Sequence, residues 1–256
     1  MLLKRMLGVL VAAVCVTATV AVVDAGPAGA AATFKVTAKT SARTLVLDQA
    51  AKVSGTVTPT YAGQKVVLRQ LLHGKYQTVA SRLVHRGQFT FTVRPSAAGV
   101  FTYRVYVGRH GARSAARSST VRESVYRWHY LADMDSAGEN DWWTDTAEVD
   151  GTTYTHSLVV TVYEGTFVAN YNLARKCSTM TGVAGLSDDA TPDDTFEFGI
   201  LGDGNQLFTD TLQLGQHQTF KLNVQSVLRL ELTGTPVSNQ DVDELVYGNP
   251  RVLCMF

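Results

Sequence analysis

The stretch FTFTVRPSAAGVFTYRVYV, residues 89–107, contains two runs in which large apolar residues alternate with polar ones. In the second run, the apolar positions are Phe101, Tyr103, Val105 and Val107, and the intervening positions are Thr102, Arg104 and Tyr106. A period of two residues places alternate side chains on opposite faces of a strand. The small-residue segment 97–99 between the runs is a turn signal. The stretch therefore predicts two half-buried β-strands joined by a turn.

Comparable patterns occur along the rest of the chain. Val53, Gly55 and Val57 alternate with polar residues at 53–58, and further strands are predicted at 220–225 and 227–234. The segment GDGN at 202–205 lies between two apolar runs and is a strong hairpin signal, because Asp-Gly pairs accept positive φ. No helical periodicity competes with these patterns in the basic half. The sequence therefore predicts an all-β protein built from sandwich domains.

Charge is sorted along the chain and divides it into two modules. Residues 33–123 contain 15 Lys and Arg against 2 Asp and Glu, whereas residues 124–256 contain 6 against 19. The two segments carry net charges of about +13 and −13, although the whole chain carries only +1. Such asymmetry indicates modules whose surfaces meet different partners or each other. It predicts a basic domain at 33–123 and an acidic domain at 124–256.

Residues 1–32 have the pattern of a signal peptide. A positively charged start precedes an 18-residue apolar run at 6–23, and the small-residue stretch 28–32 offers A-x-A cleavage sites. Eighteen residues is also near the minimum for a membrane span, so an uncleaved anchor is the alternative. Cleavage predicts a secreted, extracellular protein that has no membrane contact in its mature form.

Removal of this leader leaves two cysteines, Cys177 and Cys254, both in the acidic domain. In an exported protein, two cysteines indicate one disulfide most simply. A metal-binding pair, which lacks nearby histidines, and two free thiols are the alternatives. A bridge would close a loop of about 80 residues and tie the middle of the domain to its last strand.

The basic domain resembles the immunoglobulin-like repeats of secreted actinobacterial proteins. The resemblance covers most of residues 34–122 and rests on the segments GTV (55–57), AGQKVVLR (62–69), GKYQTVA (74–80) and AGVFTYRV (98–105). It implies an Ig-like β-sandwich that serves as a spacer or adhesive module. It brings no catalytic residues.

The positive charge of this domain has three interpretations. The basic residues could simply make a strand face polar towards water. They could instead bind an anionic polymer, such as teichoic acid or an acidic polysaccharide, or dock the basic domain onto the acidic domain. The basic cluster nearest the last strand consists of Arg104, Arg109, His110, Arg113, Arg117 and Arg122. We find no aromatic stacking positions interleaved with this cluster, so specific nucleic-acid binding is not predicted.

Five segments of the acidic domain follow one another in a recognisable order. They are YLAD (130–133), GTTY (151–154), GLSDD (185–189), FGILGDG (198–204) and GNPRV (248–252). Together they resemble the NPCBM family of carbohydrate-binding modules, which implies a galactose-binding-like jelly-roll fold and a glycan ligand. Many members have a glycine and a second histidine where this chain has THSLVV (155–160), and Tyr247 stands where the family usually has a tryptophan.

Candidate ligand-binding residues come from one aromatic pair and from the matched segments. A sugar site needs an aromatic platform and planar polar groups for the hydroxyls. The pair Trp142 and Trp143 offers the ring, and only one of the two is expected to be exposed, because neighbours on a strand point opposite ways. The alternative is that one ring caps the core and the other packs against the basic domain. The polar candidates are His156, Asp188, Asp189, Asn249 and Arg251. The two aspartates would equally cap a turn, and the arginine would equally pair with an acid on a strand.

Metal binding and catalysis find weaker support. The segment 133–144 starts like an EF-hand loop but lacks the bidentate Glu at position 12. No cofactor is therefore predicted, with calcium at Asp188, Asp189, Asp193 or Asp194 as an alternative. The nucleophile and zinc motifs of common hydrolases are missing, and the histidines lack metal-ligand spacing.

The sequence thus predicts a secreted, non-enzymatic protein that recognises glycans of a cell wall, a host surface or the environment. One rival is a structural or protein-interaction protein with a degenerate sugar site, which the altered segment 155–160 favours. Another is polyanion binding led by the basic domain. An exposed Trp142 or Trp143 beside polar loops would favour the glycan-binding function.

Overall fold

The computed structural model describes residues 33–162, 165–192, 194–237 and 243–256, and the predicted signal peptide at 1–32 lies outside this part of the chain. The strands of the basic domain are β1 (Lys35–Val36), β2 (Lys39–Thr40), β3 (Thr44–Val46), β4 (Ala51–Thr58), β5 (Lys65–Leu72), β6 (Lys75–Leu83), β7 (Gln88–Val93), β8 (Gly99–Val107) and β9 (Ala116–Arg117). Strand β10 (Val121–Tyr130) leads into the acidic domain.

The strands of the acidic domain are β11 (Ser136–Asn140), β12 (Trp143–Val149), β13 (Thr152–Val162), β14 (Phe167–Asn172), β15 (Cys177–Leu186), β16 (Thr195–Gly202), β17 (Asn205–Gln213), β18 (His217–Asn223), β19 (Arg229–Pro236) and β20 (Asp243–Cys254). A single 3-10 turn covers Leu131–Asp133. The predicted all-β class is confirmed. Within the described residues, no helix has the length and apolar character needed to cross a membrane.

The basic domain consists of two sheets around one hydrophobic core. Strands β1, β2 and β7 pair with β4 in the first sheet, and β3, β5, β6, β8 and β9 assemble with β10 in the second. The alternation seen in the sequence sets the packing, because Tyr103, Val105 and Val107 are buried while Arg104 and Tyr106 point away from the core. This is a β-sandwich, and its more specific immunoglobulin-like assignment stays a prediction.

The acidic domain packs two antiparallel sheets face to face. Strands β11, β14, β19, β16 and β17 form one sheet, and β12, β13, β20, β15 and β18 belong to the other. Between the sheets lies a large apolar core that includes Phe196, Phe198, Leu230 and Tyr247. The Tyr247 hydroxyl donates to the carbonyl oxygen of Gly199 (2.8 Å) and lies 3.1 Å from that of Thr233, so the aromatic residue of β20 also ties the two sheets together.

The predicted disulfide joins Cys177 and Cys254. The two residues face each other as antiparallel neighbours on β15 and β20. Both cysteines are buried in the core of the acidic domain. The bridge therefore fixes the end of β20 to the start of β15, which confirms the predicted disulfide.

Strand β10 belongs to both domains. Its residues 121–125 pair with β8 of the basic domain, and its residues 127–130 pair with β20 of the acidic domain. Through this strand the two domains share one 11-stranded sheet. Residue 124, the predicted domain boundary, lies inside the strand.

The two sides of β10 have different environments. The odd-numbered residues Val121, Glu123 and Val125 are buried in the basic domain. Leu131, which follows the strand, is buried in the acidic core, so the same side of the chain serves both cores. The even-numbered residues consequently lie on the opposite side of the shared sheet, which we call the outer face.

Glu123 is a buried carboxyl group with incomplete hydrogen bonding, which makes the stability of the basic domain depend on pH. Its Oε1 lies 2.6 Å from the Thr40 hydroxyl, and its Oε2 has no partner among the described residues. The Thr40 hydroxyl has one proton and a second acceptor, the carbonyl oxygen of Ala42 at 3.0 Å. A proton on Oε1 of Glu123 would let that atom donate to the Thr40 oxygen while the Thr40 hydroxyl donates to Ala42, and burial raises the pKa of Glu123 above its usual range.

We expect Glu123→Gln to raise the free energy of unfolding at neutral pH by about 1–3 kcal/mol, the usual cost of an unsatisfied buried polar group. A raised pKa means that the contribution of Glu123 to stability is fully present below its unfolded pKa and lost as the pH rises through its folded pKa. The advantage of the variant should therefore vanish in acid. Urea denaturation of both proteins at several pH values measures this, and an equal difference at all pH values would contradict the prediction.

Candidate functional site

The outer face of the acidic domain lies on the side of β20 away from the core. Leu245, Tyr247 and Val252 of β20 point inward, and Val246 and Arg251 point outward. Val246 packs with Val149 and Val159 in a small apolar cluster on this outer face. The residues predicted for ligand binding lie on this face or at its edges, with one exception.

That exception is Trp142. Only 4% of its surface is exposed, and its ring packs against Tyr247 with ring centroids 5.1 Å apart. Trp142 is thus part of the core, and no ligand outside the fold can reach its ring, so it leaves the set of candidate ligand residues. Trp143, by contrast, is 41% exposed. One ring of the pair is thus exposed and the other is buried, as expected for neighbouring residues on a strand.

Trp143 lies beside a polar surface cleft of about 210 Å³. The register of strands β12, β13 and β20 places Trp143 next to Val159 and Val159 next to Val246, so the ring lies on the outer face. The other residues that line the cleft are Asp145, Thr146, Ala147, Glu148, Val159, Ser187, Asp188, Asp189 and Glu244. Five carboxylates and two hydroxyls therefore surround one exposed aromatic ring, and no lysine or arginine lines the cleft.

Asp188 has a structural role at the edge of this cleft. Its Oδ2 accepts a hydrogen bond from the backbone N–H of Gly151 (2.9 Å), and its own N–H donates to the carbonyl oxygen of Glu148 (3.0 Å). Asp150 and Gly151 both have positive φ and form the turn between β12 and β13. Asp188 thus caps this turn, which was the alternative interpretation of that residue. Asp189 is exposed at the rim of the cleft.

The other predicted residues lie at a second place on the face. The backbone N–H of His156 donates to Oδ1 of Asn249 (2.9 Å), and the His156 ring stacks on Tyr130 with centroids 4.0 Å apart. Asn249 has a positive φ of 46° and joins β13 to β20 through this bond. The side-chain oxygen of Asn249 is consequently used by the fold.

Arg251 packs against an aromatic ring, Trp128, that was not among the predicted site residues. Its guanidinium carbon lies 4.7 Å from the centre of the Trp128 ring, and its Nε donates to the Thr181 hydroxyl (3.3 Å). Trp128 is on the even side of β10 with Tyr126 and Tyr130. This spacing of two residues was a usable signal in the sequence, but Tyr126 and Trp128 precede the five matched segments and Tyr130 opens the first of them.

The predicted site residues therefore form two groups. Trp143, Asp188 and Asp189 surround the cleft near Val246, whereas His156, Asn249 and Arg251 lie towards the other end of β20. The five residue steps from Val246 to Arg251 span roughly 16 Å of extended strand. One monosaccharide cannot contact both groups.

A metal site finds no support in the described residues. No group of three or more His, Cys, Asp or Glu side chains among them is arranged to hold a metal ion. Asp193, one of the four aspartates considered for calcium, lies outside the described part of the chain.

Solved structures that are similar to this chain include three from Clostridium perfringens. The CBM51-2 and INT domains of ZmpB match with 13% identity and a TM-score of 0.42, over 62% of this chain and 38% of that one. The CBM51-2 in complex with GlcNAc and INT domains of ZmpB match with 11% identity and a TM-score of 0.42, over 87% and 48%. The CBM51 of GH95 in complex with methyl-galactose matches with 13% identity and a TM-score of 0.40, over 49% and 99%. The chain thus spans less than half the length of the first two, 38% and 48%.

A comparison with curated proteins finds no match to this chain. The model of one protein family, the NPCBM/NEW2 domain, matches residues 129–253. The matched range begins within β10 and ends one residue before Cys254. It includes Trp143, the cleft residues and the group around Arg251. The acidic half of the chain, over residues 129–253, is accordingly an NPCBM/NEW2 domain.

Proposed function

We propose that this is a secreted, non-catalytic carbohydrate-binding protein whose NPCBM/NEW2 domain binds glycans at the cleft beside Trp143. The observation that carries the proposal is a half-exposed tryptophan ring at the edge of a cleft lined by hydroxyl and carboxylate groups. An aromatic ring packs against the C–H face of a pyranose, and carboxylates accept hydrogen bonds from sugar hydroxyls. The leader at 1–32 supports export, where such ligands occur.

The charge of the cleft narrows the class of glycan. Five acidic residues line it without a basic one, so a carboxylated or sulfated sugar would be repelled there. A neutral sugar can donate its hydroxyl protons to these carboxylates. The ligand of the Trp143 cleft is therefore a neutral glycan of a wall, a host surface or an environmental polysaccharide.

We expect Trp143→Ala in the full chain to weaken binding of a neutral glycan by about tenfold or more, because a buried aromatic contact contributes most of the energy of such small sites. Binding to an array of neutral, amino and uronic-acid glycans identifies the ligand, and titration calorimetry then gives the affinity of each variant. The matched control is Leu228→Ala, since Leu228 is 40% exposed against 41% for Trp143 and adjoins β19 of the opposite sheet.

Three other results would count against this proposal. Equal binding by the Trp143→Ala variant would move the site away from the cleft. Equal weakening by Leu228→Ala would point to a loss of fold. Binding of no glycan by the full chain would favour a structural or protein-interaction role with a degenerate sugar site.

A second function, binding of an anionic polymer by the basic domain, is favoured by the distribution of charge. The basic domain has about +13 charges, and of its two acidic residues, Asp48 and Glu123, the second is buried. A surface of this kind attracts polyanions and binds them more weakly as the salt concentration rises.

A further inference from the structure

Two arginines and two tyrosines form an interleaved group on the outer face of the basic domain. The guanidinium carbon of Arg69 lies 4.5 Å from the centre of the Tyr106 ring, and that of Arg104 lies 5.0 Å from the centre of the Tyr76 ring. The two rings meet edge to face at 6.3 Å, and Arg69 and Arg104 are direct neighbours on β5 and β8. All four side chains are partly exposed.

This group corrects the expectation that no aromatic positions accompany the basic residues. Tyr76 is on β6, and it approaches Arg104 of β8 across β5, which lies between them in the sheet. The contact joins residues that are far apart in sequence. The pattern therefore becomes visible only when the strand order is known.

Strand β10 extends the face into the acidic domain. Arg122 is the register partner of Thr102 on β8, and Tyr126 and Trp128 follow on the same side of β10. From Arg122 to Trp128 the strand advances roughly 20 Å. At its far end Arg251 lies over Trp128 at 4.7 Å, which repeats the pairing of arginine with an aromatic ring.

Within the basic domain, the charges of this face have one sign. Residues 33–123 contain only two carboxylates, and Glu123 is on the core side of β10 while Asp48 is in the turn after β3. Arginines held against aromatic rings keep their guanidinium planes fixed. The Nε–H groups of Arg104 and Arg251 donate to the hydroxyls of Thr120 (3.1 Å) and Thr181 (3.3 Å), and Nε of Arg69 is buried. The terminal Nη groups are therefore the ones left for carboxylate or other oxyanion groups, to which a guanidinium donates charge-assisted hydrogen bonds.

We propose that this face of the shared sheet, which consists of Arg69, Tyr76, Arg104, Tyr106, Trp128 and Arg251, binds a linear acidic polysaccharide that carries carboxylate groups. The ligand crosses from the basic domain to the NPCBM/NEW2 domain along β10. A polysaccharide fits better than a single-stranded nucleic acid, because guanidinium groups already cover the rings on which bases would stack. The inference deepens the anionic-polymer function proposed above and does not depend on the Trp143 cleft.

The test is binding of the full chain to polygalacturonate, measured by titration calorimetry at several salt concentrations. We expect R69Q/R104Q and R251Q each to weaken binding by roughly tenfold or more, in line with the loss of charged hydrogen bonds. The matched control is K39Q/K52Q, which removes two positive charges from exposed residues of the other sheet. R69K/R104K keeps the charge but loses the planar fork and should bind less tightly than the unaltered chain.

Several results would overturn the proposal. If K39Q/K52Q lost as much affinity as R69Q/R104Q, binding would follow net charge and not this face. Unchanged binding by R251Q would confine the ligand to the basic domain. Tighter binding of poly(dT) than of polygalacturonate, with the same dependence on the arginines, would make the face a nucleic-acid surface. Trp143→Ala distinguishes binding of the acidic polymer from binding of the neutral glycan. It should leave polygalacturonate binding unchanged and weaken only the binding of the neutral glycan.

Discussion

Trp142→Ala is expected to destabilise the NPCBM/NEW2 domain by about 3–5 kcal/mol, the usual cost of removing a large aromatic side chain from a core. Trp142 is 4% exposed, and its ring contacts Tyr247 and approaches Gly234. Its removal opens a cavity between the two sheets, which the surrounding strands can fill only in part. Urea denaturation followed by circular dichroism measures the loss.

The neighbouring residue supplies the control for this prediction. Trp143→Ala removes the same side chain from an exposed position, where substitutions usually change stability by less than about 0.5 kcal/mol. The two variants should therefore have opposite phenotypes, one unstable and one stable but defective in glycan binding. Equal destabilisation by both would contradict the inward and outward assignment of the pair.

Loss of the disulfide should have an effect of similar size. The double variant Cys177→Ser/Cys254→Ser opens a loop with a sequence separation of 77 residues, for which the chain-entropy model gives a loss of about 4 kcal/mol. Both positions are also buried, so the serine hydroxyls need hydrogen-bond partners in the core. Urea denaturation with and without a reductant measures the contribution of the bridge.

The reductant serves as the internal control. It should lower the unfolding midpoint of the unaltered chain towards that of the double variant and leave the double variant unchanged. An unaltered chain whose midpoint does not respond to reduction would show that the bridge does not stabilise the domain.

Local patterns in the sequence were sufficient for the strands, the disulfide and the family. Alternation with a period of two residues places every second side chain on the same face of a strand in any sheet. The burial of Tyr103 and Val105 could therefore be predicted without knowledge of the strand order. The two cysteines that follow residues 1–32 leave one pairing, which the structure contains. The motif that contains Asp188 was identified as well, although its main contact is the turn at Gly151.

The arrangement of the outer face could not be predicted in the same way. Whether Trp142 or Trp143 points outward depends on the register of β12 against β13, which a pair of identical residues cannot specify. The contacts of Arg104 with Tyr76 and of Arg251 with Trp128 join separate strands. Such contacts depend on strand order, and a single sequence contains no direct record of it.

Strand β10 also has a consequence for how these two domains are inherited. A domain that is joined to its neighbour by a loop can be exchanged by recombination at that loop without loss of its own sheet. Here any cut between residues 121 and 130 removes a paired strand from one domain and leaves an open sheet edge in it. The basic domain and the NPCBM/NEW2 domain should therefore pass together from one gene to another as a single cassette, with their relative orientation preserved.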